Sequence, residues 1–139
     1  MSDKLVEKRK IINISNELDI VSARVEGRNM AKMLGFGIID QARIATAISE
    51  LTRNIVLYAE LGQATIRMIV TEHGRRGLEV VCEDQGPGIS DLALAQQDGY
   101  STSGGLGMGL PGTKRLMDEF YIETELNVGT KVTIRKWLR

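Results

Sequence analysis

This chain has a single cysteine, Cys82, so no disulfide can close within it. It also has a single histidine, His73, and no grouping of Cys and His at zinc-site spacing. His73 sits in the turn-like segment His73-Gly74-Arg75-Arg76-Gly77, with no second catalytic signal beside it. Charge of one sign is missing too. Lys plus Arg number 18 and Asp plus Glu number 18, which gives a formal net charge of zero. Nucleic acid or an anionic membrane as main partner would favour a basic surface, so neither is expected. The one basic run, Lys8-Arg9-Lys10, is short and reads as a solvated strand start. No apolar stretch approaches the roughly 18 residues of a membrane span, and no signal-peptide pattern is present. The expectation is a cytoplasmic protein with a buried, inert thiol at Cys82.

Glycine, by contrast, is concentrated. Eight of the fifteen glycines fall between Gly86 and Gly112. The segment reads Asp84-Gln85-Gly86-Pro87-Gly88, then a polar interval, then Gly104-Gly105-Leu106-Gly107-Met108-Gly109-Leu110. Ordering a glycine loses more backbone entropy than ordering any other residue, so such a cluster points to a ligand that approaches the backbone closely. Phosphate is the first candidate.

The 139 residues suit one domain, 1–139, with a real core. Residues 8–15 suit a first strand. Residues 19–34 carry helical spacing through Ile20, Ala23, Gly27, Met30, Ala31 and Leu34, with Gly35 as a stop signal. Asp40 can cap a second helix reaching about Ala59, whose apolar stripe is Ile44, Ile48, Leu51 and Ile55. Residues 63–72 and 78–83 read as strands joined by a turn. A short helix is expected near 91–97 and another from about 109 to 118. Residues 120–126 and 130–137 form a hairpin around Asn127-Val128-Gly129. The order predicts an α/β two-layer sandwich, with helices on one face of a mixed sheet.

Three groups could carry chemistry. Glu50 and Asn54 lie four apart, on one helix face flanking the apolar stripe. A carboxylate there can accept a proton, and an amide oxygen is a hard ligand suited to Mg²⁺. Taken alone, the pair fits a solvated helix face just as well. Asp84 ends a strand before Gly86-Pro87-Gly88 and can accept a hydrogen bond from the amine of a base such as adenine; alone it is also an ordinary Asp-x-Gly turn. Gly104 to Gly109 open a helix carrying Lys114 and Arg115, and backbone N–H groups there can bind phosphate. Ser101, Thr102 and Ser103 precede them, and a plain flexible loop has the same composition. Arg43 is expected in a structural ion pair and Arg53 on the surface. The glycines lack Rossmann spacing, no Gly-Lys-Ser/Thr of a P-loop is present, and the eukaryotic-type kinase motifs are missing.

Glu50-x-x-x-Asn54, Asp84-x-Gly86-x-Gly88, Gly105-x-Gly107-x-Gly109 and Gly129-Thr130 stand in the order and spacing of the GHKL (Bergerat) ATPase fold, which the chain resembles. The stretches 40–44, 47–51, 83–89, 101–107 and 114–120 are similar to its anti-sigma-factor kinase branch, and closest to the serine/threonine switch kinases of bacterial stressosomes. The resemblance implies ATP and Mg²⁺ as cofactors. It makes Glu50 the general base, Asn54 the Mg²⁺ ligand, Asp84 the adenine-reading carboxylate and Thr130 the hydroxyl that supports it. Gly86 and Gly88 become the turn facing the nucleotide, and about 90–105 the ATP lid. Gly104, Gly105, Leu106, Gly107, Met108, Gly109 and Leu110 become its phosphate-cradling end. It further implies STAS-domain scaffold or antagonist proteins as substrates. The kinase, once released, would activate a PP2C-type phosphatase or other output protein. The histidine-kinase branch usually lacks the Glu before the Asn and adds a phosphoacceptor domain. A non-catalytic module whose nucleotide only gates partner exchange is the alternative.

Gly107→Ala is expected to weaken ATP binding more than it destabilises the fold. Nucleotide titration beside nucleotide-free melting checks this, and a large drop in nucleotide-free Tm would assign the glycine to the fold instead.

Overall fold

Asn16 decides where the first helix begins. Its side chain accepts from the Asp19 N–H at 3.2 Å, while the Asp19 carboxylate accepts from the Asn16 N–H at 3.3 Å. This reciprocal capping box satisfies donors that the first helical turn leaves open. The computed structural model describes residues 4–59, 61–86 and 110–139. Strand β1 spans Lys4–Ile14 and helix α1 Glu17–Leu34. Gly35 closes α1, its N–H donating to the carbonyls of Ala31 and Lys32. Helix α2 spans Ile38–Asn54 and passes into a π-helical turn at Ile55–Ala59. Strands β2 (Gly62–Thr71) and β3 (Arg76–Asp84) follow, then helix α3 (Leu110–Leu116), β4 (Glu119–Glu125) and β5 (Gly129–Trp137).

The six apolar positions expected on α1 are its buried ones, and Ile44, Ile48, Leu51 and Ile55 are likewise buried. Two boundaries differ. Gly37 is the N-cap of α2, which leaves Asp40 inside the first turn, where it pairs with Arg43 at 3.0 Å. The α-helix stops at Asn54 rather than Ala59, because the ladder widens into the π-turn. The helix expected near 91–97 lies outside the described residues.

The sheet runs β1-β2-β3-β5-β4, and every pairing is antiparallel. The expectation of a mixed sheet is therefore corrected. Hairpins make β2–β3 and β4–β5 antiparallel by necessity. Between β1 and β2 the chain makes two helices, one out and one back, so β2 returns opposite to β1. A single crossover helix would have made that pair parallel.

The helices cover one face of the sheet, and the core lies between. Ile48, Leu51 and Ile55 pack in it with Ile66, Leu78, Val80 and Ile134, each such side chain stabilising by about 1.5–3 kcal/mol when fully buried. The helix-free face is charged instead. Register aligns Arg9, Arg67, Glu79, Arg135 and Glu119 in one row across all five strands. Glu79 is only 1% exposed and is held by Arg67 and by Arg135, the latter at 2.7 Å. Arg135 also reaches Glu119 at 2.9 Å. Burial opposes ionisation of Glu119, but hydrogen bonds from Trp137, Arg135 and Tyr121 outweigh it and hold its pKa below the usual range. No helix among the described residues is long and apolar enough to cross a membrane.

Glu79→Gln leaves Arg67 and part of Arg135 without their buried counter-charge. A loss of about 2 kcal/mol is expected in urea unfolding, and a change below about 0.5 kcal/mol would show the row to be ornamental to stability.

Candidate functional site

Asp84 is the last residue of the central strand β3, and both neighbouring strands begin beside it. Register pairs it with Gly62, the first residue of β2, and with Thr130, the second of β5. The approach is close. A Cβ on Gly129 would stand 2.1 Å from the Asp84 carbonyl oxygen, and its φ of +150° is one that side chains rarely adopt. A Cβ on Gly62 would stand 2.3 Å from the Glu83 carbonyl. Glycine at both strand starts lets the sheet close around the carboxylate.

The Asp84 side chain accepts from the Gly86 N–H at 2.9 Å, and the backbone N–H of Thr130 across the strand also favours its charged form. Burial nevertheless dominates and pushes its pKa above the usual carboxylate value, the two N–H donations only partly opposing it. The Thr130 hydroxyl pairs with that of Thr124 at 3.0 Å. Gly86 lies against the π-turn, since a Cβ there would come within 2.6 Å of Ala59 Cβ. That turn brings the end of the second helix against the segment after Asp84.

Between these elements runs a narrow crevice. Asn54, Asp84 and Thr130 supply its polar groups, and Leu51, Ile55, Cys82, Leu110, Ile122 and Val132 its apolar walls. Its lining has the chemistry that a base ring asks for, apolar walls with a hydrogen-bonding carboxylate at one end, while the open space is only about 30 Å³, room for about one water. The structure therefore brings Asn54, Asp84, Leu110 and Thr130 together and sets Gly86 at the edge. Glu50 is half-buried, one turn before Asn54 on the same side of α2. Gly88, Gly104, Gly105, Leu106, Gly107, Met108 and Gly109 lie outside the described residues, as does the proposed lid.

Sequence reasoning missed the walls. Leu51 and Ile55 looked like core, and they are core on one side and crevice on the other. Cys82 is buried, as its apolar run predicts, and burial, followed by the charges of Asp84 and Glu83, pushes its pKa up to about 12. Its place on the crevice floor had one available signal, the alternation that puts Cys82 two residues before Asp84 on the strand. Arg43 and Arg53 pair with Asp40 and Glu17 on the surface.

The donor set suits an adenine nucleotide with a divalent cation. Asp84 offers an acceptor for an exocyclic amine, and the Asn54 amide offers a hard oxygen. Residues 16–136 match the family model of the histidine kinase-like ATPase domain. The chain is 58% identical over 128 residues to the serine/threonine-protein kinase RsbT of Bacillus subtilis (strain 168), covering 92% of this chain and 96% of that one. It is 31% identical to the anti-sigma F factor of Geobacillus stearothermophilus, covering 87% and 92%. The crystal structure of the RsbU and RsbW domains of Rv1364c from Mycobacterium tuberculosis shares the fold, with a TM-score of 0.63 at 18% identity, over 96% of this chain and 33% of that one.

Because Asp84 holds its proton more tightly folded than unfolded, its contribution to stability declines as pH rises from the usual aspartate pKa through the raised one. Asp84→Asn removes that penalty and keeps an oxygen for the two N–H donors. The nucleotide-free variant is expected to melt no lower than wild type at pH 7. Its ATP affinity should fall about 10–100-fold, the loss of one charged hydrogen bond. A lower Tm with ATP affinity retained would overturn this reading of Asp84.

Proposed function

The chain belongs to the histidine kinase-like ATPase domain family, and from that premise we propose that it phosphorylates STAS-domain stressosome or antagonist proteins on serine or threonine. It is a protein serine/threonine kinase of the RsbT type, using ATP, and a partner-switching regulator like its anti-sigma relatives. The observation that carries the reading is the convergence of Asn54, Asp84, Leu110 and Thr130 on one crevice, with Glu50 a turn behind Asn54.

Each residue then has a task. Asp84 accepts from the adenine amine, and the backbone N–H of Thr130 steadies it. Leu51, Ile55, Ile122 and Val132 exclude water from the ring. Asn54 offers its carbonyl oxygen to Mg²⁺, which when bound neutralises charge on the phosphates. Glu50 accepts or orients the proton of the incoming hydroxyl. The segment Gly104 to Leu110 supplies backbone N–H groups to phosphate oxygens. Phosphoryl transfer asks for little more than positioning and charge stabilisation, which suits a site built from one carboxylate base and a backbone cradle. Once its partner is phosphorylated, the kinase is released and binds and activates a PP2C-type phosphatase or another output protein.

The test mixes the protein with ATP, Mg²⁺ and a STAS-domain partner and follows phosphoserine and phosphothreonine by mass spectrometry. Glu50→Gln should lower the transfer rate by about 10²–10⁴, the usual contribution of a general base, while ATP still binds. Undiminished transfer by the variant would remove Glu50 from the chemistry. ATP binding without any transfer by wild type would leave a nucleotide-gated binding module.

A further inference from the structure

Strand β1 is the outermost strand on its side of the sheet, and among the described residues nothing pairs with its outer edge. Eleven residues of extended backbone there present open N–H and C=O groups, which form a template for another strand. The side chains along it are unusual. Lys8, Arg9 and Lys10 are consecutive and all exposed. Alternation puts Arg9 on the helix-free face, directly across from Arg67, and Lys8 and Lys10 on the helix side, across from Met68 and Ile66. Arg67 is already engaged by Glu79. Like charges directly opposite are unfavourable, yet Arg9 has no carboxylate partner among the described residues, nor do Lys8 and Lys10. Lys8 Nζ rests instead 3.8 Å from the sulfur of Met33, itself 63% exposed, and Ile11 on the same strand is 53% exposed. Among the described residues the edge therefore combines open backbone, three cations with no carboxylate partner and two exposed apolar side chains.

A second copy is a poor match. Antiparallel pairing centred on Arg9 would set Lys8 against Lys10. The opposite sheet edge, β4, is acidic, but Arg135, Trp137 and Tyr121 already hold Glu119, Glu123 faces Lys131, and only the exposed Glu125 faces no basic residue, being opposite Gly129. One carboxylate does not match three cations, so the others must come from elsewhere. We propose that the β1 edge is a docking strand for an extended acidic segment of another protein. The segment adds a sixth strand to the sheet. Its carboxylates meet Lys8, Arg9 and Lys10, and an apolar side chain covers Ile11. The surface is separate from the nucleotide crevice and its use does not depend on phosphoryl transfer, so a partner can be held there while the site works on another segment.

The probe is a fluorescent peptide of three consecutive Glu flanked by Val, which sets carboxylates on both faces of the added strand, with the same peptide carrying Lys for Glu as control and anisotropy as the readout. The acidic peptide should bind at least about tenfold more tightly than the basic one, and raising salt to about 0.5 M should weaken it. Arg9→Glu with Lys10→Glu should weaken it at least about tenfold, as should Arg9→Gln alone by a smaller factor, with ATP affinity unchanged in both. N-methylation at alternate residues of the peptide should abolish binding, since it removes the main-chain donors. Equal binding of both peptides, indifference to the substitutions, or unimpaired binding of the methylated peptide would each overturn the proposal. So would concentration-dependent self-association in sedimentation that the same substitutions abolish, which would assign the edge to a second copy.

Discussion

The structure depends on how tightly the sheet closes around the end of its central strand. β3 finishes at Asp84, and the strands on both sides begin there. Gly62 and Gly129 sit where any side chain would strike the β3 backbone. That closure half-buries the carboxylate and raises its proton affinity. A half-buried carboxylate of this kind costs the protein stability at neutral pH.

The two faces of the sheet solve different problems. One face is apolar and takes the helices, which positions Asn54 and Leu110 over the crevice. The other has no helix to cover it, and an antiparallel sheet tolerates this when that face is polar. Here the polar face is organised, with Glu79 buried among arginines from the two neighbouring strands. The row ties β2, β3 and β5 side by side, and these are the three strands that meet at Asp84. Trp137 adds to the same end of the row, lying over Gly77 with the Arg75 guanidinium 5.2 Å from its ring centroid. Charge on one face therefore fixes the spacing that the site on the other needs.

Much of this was legible in the residue order. The spacing of Ile20 to Leu34 gave the buried face of α1, and Gly35 gave its end. Glu50, Asn54, Asp84 and Gly129-Thr130 were visible as motifs because each needs a particular residue type at a particular distance along the chain. Three features were not legible. The π-turn at Ile55–Ala59 packs against Gly86, a neighbour far away in sequence. The all-antiparallel sheet depends on which strands meet, which local pattern does not encode. Glu79 stands in the middle of an apolar run, and only the cross-strand register shows its two arginines.

By itself the sequence determined the elements, the apolar stripes, the family resemblance and the kinds of chemistry available, because these follow from side-chain type and from periods of two and 3.6 residues. Only the tertiary structure decided that Asn54, Asp84, Leu110 and Thr130 share one crevice. It also set Thr130 directly across from Asp84 and left the basic edge of β1 uncovered among the described residues. These outcomes rest on contacts between segments distant along the chain, whose register is fixed by packing and hydrogen bonding across the sheet.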